Sequence, residues 1–230
     1  MIVAAALCPA PPLLARELTG GDVVLPELRE ACGEATRRLL RAEPAVIAVV
    51  GAAAETGLWD PESRLELSAF APAAQVPPGT PGLPSSLGLG ALLLDQAGYA
   101  GRRILQAAGQ DEPPTACVEL GEQLAQPAER VALLVMADGS ARRSRRAPGH
   151  LDERSAGFDA EVERAIRAGD LGALTAVDPV LARELMATGR PAWQVLAGAM
   201  RALRPAADIL YAGDPFGVAY LVASLSLTGP

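Results

Sequence analysis

Lysine and asparagine are both missing from this chain of 230 residues, so all twenty of its basic residues are arginine. Without lysine there is no Schiff-base amine and no phosphate-binding loop of the kind that ends in one. A single histidine, His150, excludes any metal site that needs two imidazoles from one chain. The three cysteines, Cys8, Cys32 and Cys117, are far apart and odd in number, with no C-x-x-C pair. That spacing argues against a disulfide framework and a structural zinc site, and for reduced, buried thiols. Aromatic residues make up 3%, and Trp59 and Trp193 read as core or interface residues before ligand platforms. A net charge of −7 supplies no field that would draw in nucleic acid or an acidic membrane surface.

Apolar residues, by contrast, are half of the chain. That is enough core for one domain over residues 1–230 and too regular for a disordered chain. Ala, Gly, Pro and Arg have GC-rich codons while Lys and Asn have AT-rich ones, so the composition points to a GC-rich bacterial genome. The opening run to Pro12 has an Ala5-Ala6-Leu7-Cys8 stretch faintly like a lipoprotein cleavage site. No basic segment precedes it and its apolar part is short, so a buried first strand is expected. The run Phe216–Leu227 is also too short for a bilayer, which needs roughly twenty residues. An acidic cytoplasmic protein with no membrane anchor is the expectation.

Ile2–Cys8 and Ala45–Val50 read as buried strands. Between them, after Gly20, Gly21 and Asp22, the residues Leu25, Leu28, Cys32, Ala35, Leu39 and Leu40 recur at helical spacing among charges. Strand, helix, strand with short joints is a βαβ unit, and a mostly parallel central sheet flanked by helices follows. Leu65, Leu67 and Ala69 alternate like a half-exposed strand, and Gln75–Pro84 is loop. Leu87–Ala97 reads as a helix, whereas Arg103–Ala107 and Thr115–Leu120 fit either type. Arg130–Ala137 is the clearest central strand of the second half. Three helices are expected after it: one on Phe158, Val162, Ala165 and Ile166; one from Asp178-Pro179 to Gly189; one from Pro191, with Val195, Leu196, Ala199, Met200 and Leu203 on one face. Ala207–Ala212 and Val218–Leu227 close the chain as strands.

Strand ends carry function in open α/β sheets. Four segments end strands here: Cys8–Pro12, Gly51–Glu55, Asp138–Ser140 and Gly213–Gly217. Together they resemble, in order and spacing, the class III extradiol ring-cleavage dioxygenases, the LigB-like superfamily that includes the Memo proteins. Cys8–Leu14 is similar to that family's P-H-P-P-L, Val135–Ser140 to its strand followed by G-D-x-S-H, and Asp214–Tyr220 to its terminal P-[FY]-G-x-G-Y. The resemblance spans nearly the whole chain and implies a LigB-like α/β fold and, by family habit, a homo-oligomer. In that family, histidines and a carboxylate at these strand ends hold Fe(II). Here the histidine positions read Ala10, Gly51-Ala52-Ala53-Ala54-Glu55 and Ala141, none of which supplies an imidazole. The expectation is therefore a lost iron site, no cofactor, and a retained crevice for a small molecule or a protein partner.

The crevice would gather Cys8, Ala10, Gly51, Glu55, Asp138, Ser140, Asp214, Phe216 and Tyr220. Cys8 fits a nucleophile or a buried structural thiol. Arg142 and Arg143, leading the run completed by Arg145 and Arg146, fit an anion site for phosphate or carboxylate, or a solvated loop. Two alternatives stay open. In one, His150 serves Ser140 as general base in a hydrolase, oriented by Asp138 or Asp152. In the other, an atypical metal site for ring cleavage is completed by carboxylates (Glu55, Asp138, Asp214, with His150) or by another chain.

Overall fold

The computed structural model describes residues 1–19, 24–63, 65 and 82–227. The uncharged run Ile2–Cys8 forms strand β1 and is buried over nearly its whole length. Helix α1, Pro26–Arg41, buries the stripe Leu28, Ala31, Cys32, Ala35 and Leu39, while Glu34 gathers Arg37, Arg38 and Arg41 on its outer side. Strand β2 is Val46–Ala53 and strand β3 is Gly57–Trp59. Helix α2 (Ser85–Gln96), strand β4 (Arg102–Gly109), helix α3 (Pro114–Ala125) and strand β5 (Val131–Met136) follow. The two stretches left open by their spacing are thus a strand and a helix. Pro114 at the first turn starts α3 where a backbone donor would go unpaired anyway. Helices α4 (Arg154–Arg167), α5 (Gly172–Thr175), α6 (Pro179–Glu184) and α7 (Arg190–Ala199) lead to strands β6 (Ala206–Gly213) and β7 (Tyr220–Ser226).

The seven strands form one mixed sheet in the order β3-β4-β2-β5-β1-β7-β6. The four central strands, β4, β2, β5 and β1, are mutually parallel, as the βαβ pattern predicts. Their side chains alternate between two cores. Ile2, Ala5 and Leu7 of β1 join residues of α3, α4, α5 and α7 on one face. Ala4, Ala6 and Cys8 join α1 and α2 on the other.

Four details differ from the periodicity reading. Strand β3 is three residues long, too short to leave a pattern. An extra turn, α5, precedes α6. Asp178 caps α6 through the Val180 amide at 2.8 Å, as its sequence predicts, but the helix stops well before Gly189. It ends because Met186 takes a left-handed conformation (φ 56°) and the Ala187 amide turns back to the Ala182 carbonyl at 2.8 Å. Finally, α7 has no solvent face: every one of its residues is buried. It packs so closely on α3 that a Cβ at Gly121 would lie 2.1 Å from the Val195 carbonyl oxygen, and one at Gly198 would lie 2.1 Å from that of Val118. Leu67, Ala69, residues 75–81, Gly20, Gly21 and Asp22 lie outside the described residues. Leu65 makes an isolated bridge to Leu83.

The sheet order sets the position of the four strand-end segments. β1, β2 and β5 run together, and β6 shares their direction because both β1 and β6 are antiparallel to β7. All four segments therefore lie along one edge, the carboxyl edge where α/β sheets bind ligands.

Candidate functional site

The centre of that edge is the segment after β5. The Ala137 amide reaches the Cys8 carbonyl at 2.8 Å, extending the β1–β5 pairing by one residue. Asp138 follows, and its Oδ1 accepts a hydrogen bond from the Ala10 amide at 2.8 Å. Burial raises its carboxyl from 3.8 to about 6, against the opposing pull of the Ala10 amide. Tyr220, at the start of β7, is buried beside it. Its hydroxyl is pushed well up, first by burial and then by the negative charges of Asp138 and Tyr211.

Gly139 and Ser140 bind the fourth segment through main chain alone. The Gly139 amide donates to the Ala219 carbonyl, and the Ala219 amide to the Ser140 carbonyl, each at 2.8 Å. A Cβ at Gly139 would lie 2.8 Å from both the Ala219 Cβ and Asp159 Oδ1, so only glycine allows this approach. Ser140 is fully buried. Its amide and hydroxyl both donate to Asp159, at 2.9 Å to Oδ1 and 2.5 Å to Oδ2. Burial raises the Asp159 carboxyl, while the two Ser140 bonds and Arg143 oppose the rise. Arg143 Nε donates to Asp214 Oδ2 at 2.9 Å and lies 3.8 Å from Asp159 Oδ2. Asp159 thus ties the third segment to α4, and Arg143 beside it reaches Asp214 of the fourth. The sequence reading missed it. Its one signal is a carboxylate beside Phe158, on the edge of the buried stripe of α4.

Beside these groups is a cavity of about 230 Å³, lined among others by Gly139, Arg143, Asp159, Trp193, Asp214 and Tyr220; Asp138 and Ser140 do not reach it. Trp193 is buried, its ring 6.3 Å from that of Phe158, and its indole Nε1 has no hydrogen-bond partner among the described residues. A larger cleft of about 720 Å³ lies among α3, α5 and α7 and includes none of these side chains.

No family model and no curated protein matches the sequence. The fold is similar to that in the crystal structure of uncharacterized protein JW3007 from Escherichia coli K12. The two match with a TM-score of 0.59 over 97% of this chain and 99% of that one, at 13% sequence identity. The likeness is one of fold. It supports an α/β domain with this mixed sheet and assigns no chemistry to either protein.

The remaining sequence candidates are distributed unevenly along the edge. Cys8 is buried, and its thiol is pushed well up by a hydrogen bond with the Cys32 thiol and by burial, which suppresses the nucleophilic thiolate. Ala10 contributes its amide to Asp138. Gly51 faces α2 instead of the crevice: a Cβ there would lie 2.4 Å from Ser86 Oγ. Glu55 is exposed past the end of β2, and Phe216 is exposed in the turn before β7. Ser140 and His150 do not form the hydrogen-bonded pair that a hydrolase requires. The serine hydroxyl is committed to Asp159, and His150 sits exposed in left-handed backbone (φ 59°) with no side-chain hydrogen bond among the described residues. The arginine run divides: Arg143 reaches the cavity, Arg142 Nε is buried without a partner, and Arg145 and Arg146 are exposed.

The residues present do not fit Fe(II). Asp138 is one carboxylate with an alanine amide and a tyrosine for neighbours, and Ala10, residues 51–54 and Ala141 carry no ligating side chain. Among the described residues no group of three or more His, Cys, Asp or Glu side chains is placed to hold a metal ion. Nor is any described helix long and apolar enough to cross a membrane.

Proposed function

We propose that this chain is a LigB-like protein without the superfamily's iron chemistry, and that it binds a small ligand non-catalytically at the carboxyl edge of its sheet. The observation that carries the proposal is the 230 Å³ cavity, because residues in or just after two of the four strand-end segments line it, Gly139 and Arg143 on one side and Asp214 and Tyr220 on the other. The order of the four segments along the chain supports the superfamily. The alanines at its histidine positions support the loss of iron. The habit of that superfamily supports a homo-oligomer, and the acidic composition supports a cytoplasmic location.

The cavity is smaller than the roughly 300–1,000 Å³ of drug-sized sites, which favours a compact metabolite over a nucleotide. A ligand-observed NMR screen of small acids, amines and neutral compounds tests the proposal. It is run on the wild type and on Ala160→Phe, a substitution on the exposed side of α4 that fills the cavity. Hits that vanish in Ala160→Phe are expected. Hits that persist there, or stoichiometric iron retained after purification with added Fe(II), would refute it.

A further inference from the structure

We infer that the cavity takes a small monocarboxylate with a short apolar tail, the carboxylate meeting the guanidinium fork of Arg143. The inference rests on the small-ligand reading above and names its chemical class. Hydrogen-bonding capacity left unused on the cavity wall decides that class. A guanidinium has five N–H donors in a fixed fork. Arg143 commits Nε to Asp214, and no hydrogen bond reaches either Nη among the described residues. Its side chain is only 26% exposed, so the fork faces a partly dried space. Trp193 also lines the cavity, so its fluorescence reports on occupancy.

The acceptors are arranged differently. Both oxygens of Asp159 already receive hydrogen bonds from Ser140, and Glu163 is paired with Arg167. Asp214 keeps one oxygen free but is 44% exposed, where water already satisfies it. A cationic ligand would therefore meet Asp159 oxygens already engaged by Ser140 and a solvated Asp214, while a carboxylate finds the two Nη groups of Arg143 without a hydrogen bond among the described residues. The negative charges of Asp159 and Asp214 weigh against any anion, but Arg143 is held between them and offsets part of that repulsion. The rest of the wall, Ala156, Ala160, Val162, Ala219 and Leu221, is small and aliphatic and suits a short alkyl tail.

The experiment uses Trp59→Phe protein, in which Trp193 is the only tryptophan left of two. Its fluorescence is followed while pentanoate, pentylamine and pentanamide are added at constant ionic strength; none of the three absorbs where indole is excited. The expected result is saturable binding of pentanoate with a Kd of about 1 mM, within reach for a ligand of this size. Arg143→Gln should weaken it at least about tenfold, and Arg143→Lys, which keeps the charge without the fork, by an intermediate factor. Arg146→Gln, on the exposed end of the same run, should leave it unchanged. Pentanoate binding that is indifferent to Arg143 would overturn the inference. Saturation by pentylamine or pentanamide in preference to pentanoate would also overturn it, while leaving the cavity as a binding site. Failure of all three to bind would sink the small-ligand reading as well.

Discussion

Replacing Asp138 by asparagine should stabilise the protein at neutral pH, an unusual direction for a substitution at a partly buried position. The carboxyl is raised by burial from 3.8 to about 6. Between those values the folded chain holds a proton that the unfolded chain has released. The stability that this group contributes is therefore complete below about pH 3.8 and is lost as pH rises through about 6. The full loss corresponds to about 3 kcal/mol, and the partial exposure of the side chain brings the expectation to about 2–3 kcal/mol. Asparagine keeps an oxygen for the Ala10 amide and carries no charge to desolvate, so Asp138→Asn should recover most of that amount at pH 7.5. For a chain of this size the gain is a rise in Tm of about 5–10 °C. At pH 5 the difference should shrink to about half, because the wild-type carboxyl is by then largely protonated when folded. Thermal unfolding of both proteins from pH 5 to 8 gives the profile. An asparagine variant that is less stable at pH 7.5, or a difference that does not change with pH, would refute the assignment of a strained carboxylate to this edge. Carboxyls held at such cost cluster at binding and reaction sites, which makes Asp138 a candidate for function as well as a determinant of stability.

Three further outcomes are expected. Gly198→Ala should cost about 3 kcal/mol in urea unfolding, because its Cβ would meet the Val118 main chain at 2.1 Å, where no side chain can give way; a loss below about 1 kcal/mol would mean that α3 and α7 can separate freely. Arg190→Leu should lower stability by about 3 kcal/mol, since the buried guanidinium donates to the Gln110 and Glu112 carbonyls and to Gln194 Oε1, and all three would be left unpaired; a higher urea midpoint would show that burying the cation is a net cost. His150→Gly should change stability by no more than about 1 kcal/mol, because the residue is exposed and already left-handed, and should leave cavity binding intact; loss of an ester-hydrolysing activity in this variant would restore a catalytic role for that residue.

The legible part of the fold was the part whose pattern is local. The runs of β1, β2 and β5, the stripe of α1 and the Asp178-Pro179 start of α6 follow from neighbouring residues, and the parallel sheet follows from their alternation. What escaped depends on distant chain. Strand β3 exists because β4 offers it an edge. β4 itself opens on Arg102 and Arg103 and is fully buried only from Leu105 onward, where β3 joins β2 beside it. Helix α7 looks one-sided by spacing, yet α3 and the sheet enclose it on all sides.

The candidate site divides along the same line. Asp138, Ser140, Asp214 and Tyr220 could be placed on the carboxyl edge because strand ends can be located in sequence. Asp159 was missed because its role is defined by Ser140, nineteen positions earlier. Trp193 carries no sign in sequence that its N–H lacks a partner. The basic run looked like one anion site, but the loop turns within it, and only Arg143 is delivered to the cavity. Ser140 and His150, ten positions apart and plausible as a pair, are separated by that same loop and by the claim of Asp159 on the hydroxyl.

The ladder between Gly139-Ser140 and Ala219 is made entirely of peptide groups, so it is indifferent to almost every side chain around it. The outline of the carboxyl edge is stored in the backbone and in one obligatory glycine, while its chemistry is carried by side chains that the ladder does not use, such as those of Arg143 and Asp214. Such an edge can exchange its reactive groups one at a time without losing its shape. It acts as a socket whose fittings change faster than its frame, and that separation lets a protein stop doing one thing while remaining folded for another.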